Sequence, residues 1–175
     1  MTVSFKFYRP PTTASLDAWG GVGAVFETLA GDWTLKRRIP GIAGMEGKAH
    51  VVRLDADRLR YVEQGCLKLK NGESFQASRS YLFRALGDGF AVYYDQSPDR
   101  LFQEVRLTPL LGGGLTGMAE HCCPPDRYRS RYTFRSDGCF YITHCVTGPS
   151  KSYRSFSRFS RARSDLENQK PPPEG

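Results

Sequence analysis

Seven side chains in this 175-residue chain combine reactive chemistry with an unexpected position: Glu63, Arg79, Tyr81, His121, Tyr128, His144 and Tyr153 fall on otherwise apolar faces. The faces follow from period-two alternation, because successive side chains of a strand point to opposite sides. Over Ser74–Leu86, Arg79 and Tyr81 share a parity with Phe75, Ala77 and Phe83, and over Leu59–Leu69, Glu63 shares one with Leu59, Tyr61 and Leu67. His121 aligns with Leu115, Ala119 and Cys123, and His144 with Phe140, Ile142 and Val146. Tyr128 falls with Tyr132 and Phe134, and Tyr153 with Phe159. An unpaired guanidinium on an inward face is costly, so Arg79 must meet an anion, and Glu63 on the neighbouring strand is the candidate.

Such a set supports different uses. As a binding site, Arg79 and Lys151 receive the anionic group of a small, partly apolar organic molecule. Tyr61, Tyr81, His144, Tyr153 and Trp33 complete the ligand-binding set. As an active site for isomerisation, cyclisation, dehydration or decarboxylation, Glu63 or His121 is the base or acid. Arg79 then orients the substrate and Tyr128 stabilises developing charge. In a third reading the barrel is filled, a Glu–Arg pair merely fixes strand register, and the chain is a structural or interaction domain. Contact between Glu63 and His121 favours the enzyme; separate pairing of each favours the binder.

The elements that must position these residues read as all-β. Residues 1–14 form a loose arm containing Pro10 and Pro11, and a helix is expected over 15–30, capped by Ser15, with Trp19, Val22, Phe26 and Leu29 on one face. After Gly31 the period changes to two and persists to residue 163. Short links punctuate it, among them Asn71-Gly72, whose two positions tolerate positive φ, and Ser97-Pro98-Asp99. Strands joined so briefly cannot be parallel. A single antiparallel up-and-down barrel of about eight to ten strands, lipocalin- or calycin-like and wide enough for one small ligand, is the expected domain over 15–163. The segment 164–175, with Pro171-Pro172-Pro173, reads as a disordered tail.

Composition narrows the function classes. The net charge of +7 raises the question of nucleic acid, since Arg127, Arg129, Arg131, Arg135, Arg154, Arg158, Arg161 and Arg163 crowd the last third. On a strand, however, these arginines and the interleaved tyrosines point to opposite faces, which argues against a nucleic-acid platform. The odd cysteine count of 5, without CxxC or a secretory signal, predicts free thiols in a reducing cytoplasm, in a monomer or homodimer. No apolar stretch reaches the roughly 20 residues that span a bilayer, so no membrane partner is expected. His121, His144, Cys123 and Glu63 could converge on a metal, and one inward histidine could hold haem. Neither spacing nor motif demands either, and the expectation is no metal and no cofactor.

Short motifs add a resemblance. Gly31-x-Trp33, Tyr61-x-Glu63-x-Gly65, Arg79-x-Tyr81 and Phe102 are followed by His121-Cys122, Asp126-x-Tyr128 and Gly148-Pro149-x-Lys151-x-Tyr153, ending on Phe159-x-Arg161. This pattern over residues 29–161 resembles small bacterial and fungal lipocalin-like domains of unknown function. The resemblance implies a barrel whose floor is closed by Trp33, and it implies no particular activity. Gln103 stands where that pattern usually has His, and an extra residue separates Cys122 from Asp126.

Overall fold

The computed structural model describes residues 18–162. The arm over 1–14, the Ser15 cap and the tail over 164–175 lie outside the described residues. A 3-10 turn (Val22–Ala24) and a short helix α1 (Val25–Leu29) precede β1 (Gly31–Ile39), β2 (Ala43–Arg53), β3 (Arg58–Leu69), β4 (Ser74–Leu86) and β5 (Gly89–Tyr94). Then come β6 (Ser97–Pro109), β7 (Leu115–Cys123), β8 (Asp126–Phe134), β9 (Phe140–Thr147) and β10 (Ser152–Arg161). Each strand pairs antiparallel with its predecessor and β10 pairs back onto β1, closing an up-and-down barrel.

The helix is shorter than the 15–30 expected from its apolar spacing. Gly20 and Gly21 hold φ of 64° and 89°, which no right-handed helix accommodates, so helical structure starts at Val22. The apolar face itself is as read: Trp19, Phe26 and Leu29 are buried, with Val22 packed against them. Arg161 caps the helix from outside, its guanidinium donating to the carbonyls of Thr28 and Ala30 and lying 4.0 Å over the Trp33 ring.

Two links also differ from expectation. At Asn71-Gly72 only Gly72 takes positive φ; the Asn71 side chain instead accepts from the Glu73 amide at 3.1 Å, stabilising a wider loop. Ser97-Pro98-Asp99 belongs to β6 rather than to a turn, which lies at Asp95-Gln96. Proline is tolerated there because β6 pairs with β7 only over Arg106–Pro109, leaving residues 97–105 without a partner on that side.

Inward parity threads aromatic rings along the barrel. Trp19 and Trp33 stack at 5.8 Å and plug one end, above Phe140 and Phe159 stacked at 4.2 Å. Phe83 stacks on both Tyr61 and Phe90, Tyr81 stacks on Phe102, and His121 and Tyr128 follow toward the other end. Offset and edge contacts of this kind add to the burial energy of each ring. The column also brings the polar inward residues to a definite depth, beyond the tryptophan plug.

Candidate functional site

Glu63 is the centre of a buried ionic cluster. Its carboxylate is 2% exposed and takes both terminal amino groups of Arg37, at 2.6 and 2.9 Å, in a bidentate fork. Arg79 Nε donates to Oε1 at 2.5 Å, and the Tyr61 hydroxyl donates to Oε2. The β3–β4 register sets Glu63 directly opposite Arg79 and Tyr61 opposite Tyr81. Burial alone pushes the Glu63 carboxyl upward, but the Arg37 hydrogen bonds and the charges of Arg79 and Arg37 outweigh it and hold it at about 2. Desolvation acts to lower the Arg79 pKa, and the Glu63 charge reverses this and raises it. Burial, then the neighbouring carboxylate, pushes the Tyr61 phenol well up. The cluster is therefore Arg⁺–Glu⁻–Arg⁺ at neutral pH, with one positive charge in excess.

A second, neutral network lies across the lumen. The Tyr132 hydroxyl donates to Gln103 Oε1 at 3.1 Å, Gln103 Nε2 donates to Ser130 Oγ at 2.6 Å, and Ser130 Oγ lies 2.6 Å from His144 Nδ1. The Ser130 hydroxyl, with one proton and two lone pairs, can accept from Gln103 and still either donate to His144 Nδ1 or accept from it, according to the imidazole tautomer. Burial, reinforced by the charges of Arg79 and Arg37, lowers the His144 pKa to about 3. The imidazole stays neutral at every physiological pH.

The interior leaves little room. The cavity bounded by Arg37, Tyr61, Glu63, Arg79, Phe102 and His144 measures about 20 Å³, enough for one water. An interior pocket of ligand size, expected from the sequence, is thus replaced by packed aromatic rings. The larger space lies at the flank: a groove of about 470 Å³ between β4 and the β5–β6 turn, lined by Arg60, Ser78, Arg79, Tyr81, Tyr94 and Arg100, among others. Arg79 and Tyr81 border both spaces. The Arg79 side chain, though surrounded by protein, is 35% exposed, and among the described residues its terminal amino groups make no hydrogen bond. Arg60 in the groove is already paired with Asp95 at 2.7 Å, whereas Arg100 lies 5.0 Å over the Tyr94 ring with no carboxylate partner among the described residues.

Of the residues singled out from sequence, Glu63, Arg79, Tyr61, Tyr81 and His144 come together around the small cavity. His121 and Tyr128 lie further along the axis, 6.2 Å apart between ring centroids, and among the described residues the buried His121 Nε2 has no hydrogen-bond partner. Glu63 and His121 do not pair. Lys151 is satisfied by Asp126 at 2.6 Å and faces Tyr128 at 3.4 Å, so its pKa rises through those hydrogen bonds. Asp126 fits there because Gly148 lacks a side chain: a Cβ would stand 1.9 Å from the carboxylate, which gives the Gly-Pro-x-Lys motif a packing reason. Tyr153 is half-buried at the start of β10, away from the cavity lining. Trp33 lies in the plug, its indole donating to Leu29 O at 3.0 Å, and does not line the cavity or the groove.

Arg37 and Ser130 go unmentioned in the sequence reading, and Gln103 and Tyr132, though noted there, are not counted among its site residues. Arg37 shares its parity with Trp33 and Leu35, so alternation alone points it inward. Gln103 follows Phe102, and both are buried because a register shift in the β5–β6 pair turns consecutive residues to one side.

A family profile described as a family of unknown function, DUF6314, matches residues 29–161. Among curated proteins no sequence matches. Among solved structures, the S-type phycobiliprotein lyase CPES of Guillardia theta aligns with a TM-score of 0.56 at 14% identity, covering 88% of this chain and 99% of that one. At that identity the likeness establishes the barrel fold alone. EF1p2_mFAP2b bound to DFHBI (TM-score 0.42, 12% identity, 81% and 100% coverage) and the redesigned barrel mFAP1 bound to DFHBI (0.38, 14%, 77% and 96%) are more distant and carry no argument.

Proposed function

For a chain that belongs to DUF6314, a family of unknown function, we propose a binding role: the flank groove receives a small, partly apolar organic anion at Arg79. One observation carries this reading. Two arginines share one buried carboxylate, and the arginine with unused amino groups is the one that opens onto the groove. A carboxylate or comparable anionic group of the ligand would complete the charge balance, taking the Arg79 fork while Arg37 keeps Glu63. Tyr81, Tyr94 and Arg100 offer stacking surface and a second cation for the rest of the molecule. Native mass spectrometry of protein drawn from its own host tests the reading. The expected result is a copurifying organic anion in the wild type that is absent from Arg79→Gln; an adduct equally abundant in both would refute it.

Catalysis is a second reading that His121 alone keeps open. Glu63, held ionised by two arginines, is a poor base, and Glu63 and His121 are not in contact. His121 Nε2, buried and unbonded beside Tyr128, has the freedom a proton-transfer group needs. Incubation with a host metabolite extract, comparing wild type with His121→Asn, tests it: a compound consumed only by the wild type supports turnover, and identical profiles refute it.

A further inference from the structure

The outer face of β8, β9 and β10 differs from the rest of the barrel in how its charges are settled. Elsewhere exposed arginines meet a carboxylate, as Arg53 does Glu27, Arg58 Asp55, Arg60 Asp95, Arg106 both Asp88 and Glu104, and Arg135 Asp137, or lie over an aromatic ring, as do Arg38, Arg84 and Arg100. Arg127, Arg129 and Arg131 on β8, and Arg154 and Arg158 on β10, are exposed, and among the described residues none forms an ion pair. The register sets them in order: Arg129 and Arg154 both flank Cys145, Arg131 and Phe156 flank Thr143, and Arg127 lies opposite Thr147. Thr143, Cys145 and Thr147 of β9 are thus small between two taller rows, bounded at one end by Tyr141. The result is a trough along β9 of about 410 Å³, lined by Met118, Arg129, Arg131, Cys145, Arg154 and Phe156, among others.

From this arrangement we infer that the trough is a docking surface for single-stranded nucleic acid, a role separate from the flank groove. Arginines two residues apart on a strand stand about 6.8 Å from one another, and the two rows lie about 10 Å apart, so a linear polyanion fits between them with charges on both sides. Every cation in these rows is arginine, whose planar fork suits phosphate. The tyrosines of β8 and β10 point inward, as alternation requires, but Phe156 falls on the opposite parity and is 38% exposed; Met118, 60% exposed, lines the far side of the same trough. Phe156 therefore offers a stacking platform on the basic face itself, with Arg38 5.7 Å from its ring centroid. An acidic peptide would use the charges but gain nothing specific from that ring.

Fluorescence anisotropy of the full chain tests this, using fluorescein-labelled oligothymidylate and oligouridylate of about 12 nucleotides, with poly-L-glutamate as competitor. Binding is expected to weaken with salt by a logarithmic slope of about −0.7 per phosphate contacted, or about −3.5 for the five arginines. Arg129→Gln combined with Arg154→Gln reduces that slope by about 1.4. Phe156→Ala weakens binding roughly tenfold with the slope unchanged, and Arg106→Gln on the paired face has no effect. These residues are exposed, so denaturation midpoints stay at the wild-type value and separate lost binding from lost folding. Binding of either oligonucleotide with this pattern supports the inference. No binding at low salt, or polyglutamate competing equally with Phe156→Ala silent, overturns it, the latter assigning the face to an acidic protein.

Discussion

Acid titration of the His144 network gives a quantitative handle on the interior. His144 is held near 3 in the folded chain against an ordinary 6.5, because burial and then the charges of Arg79 and Arg37 oppose its protonation. Below pH 6.5 the unfolded chain binds a proton that the folded chain refuses, so stability falls as the pH falls and continues to do so toward 3. Each unit in that window costs about 1.4 kcal/mol, so lowering the pH from 6.5 to 4.5 removes about 3 kcal/mol. Glu63 contributes nothing over this range, because its own window lies between its ordinary 4.5 and about 2. His144→Asn retains an acceptor for the Ser130 hydroxyl but cannot be protonated. Urea denaturation at constant ionic strength, followed by tryptophan fluorescence, is expected to show the 3 kcal/mol loss in the wild type and less than about 1 kcal/mol in His144→Asn. Equal losses in both proteins would refute the claim that His144 is the buried neutral group.

Glu63→Gln leaves Arg37 and Arg79 buried without their anion and is expected to destabilise by about 3–5 kcal/mol in a denaturant melt at pH 7. Below pH 4.5 the wild type is expected to lose a further 3 kcal/mol or so as Glu63 protonates toward its folded value of about 2; Glu63→Gln should lack that acid limb. Gln103→Leu strands the Tyr132 hydroxyl and the Ser130–His144 pair, at a cost of about 2–4 kcal/mol readable from the thermal midpoint. Arg79→Gln, in contrast, leaves Glu63 neutralised by Arg37 and is expected to fold with a smaller loss, checked by the same melts.

The barrel was legible because its determinants are local. Period-two alternation from residue 31 onward and short links bracketed the strand number at about eight to ten and gave the pairing direction and the inward parity of Glu63, Tyr61, Arg79 and His144. What alternation cannot carry is depth and volume. Parity turns Trp33 and Tyr61 inward alike, but only the strand register sends one to the plug and the other to Glu63. Volume is a sum over many side chains, and the column from Phe140 to Tyr81 fills a lumen that the same pattern, with smaller residues, would leave open. Arg37 was visible on parity beside Trp33 and Leu35, yet its role appears only when the curled sheet brings β1 to β3 across β2 and so to Glu63, 26 residues away. Gln103 was likewise visible on parity, with Val105 and Leu107; what alternation misses is Phe102 beside it, which the β5–β6 register shift buries as well.

Side-chain NMR of the arginine Nε–H groups reads out whether Arg79 presents an unfilled guanidinium fork to an organic anion. Benzoate is titrated in, with benzamide as its uncharged counterpart. The Arg79 Nε–H resonance, set apart by its bond to Glu63, is expected to shift saturably with benzoate and not with benzamide, while that of Arg106 stays still. An Arg79 resonance that ignores benzoate, or responds equally to the amide, would contradict an unfilled fork.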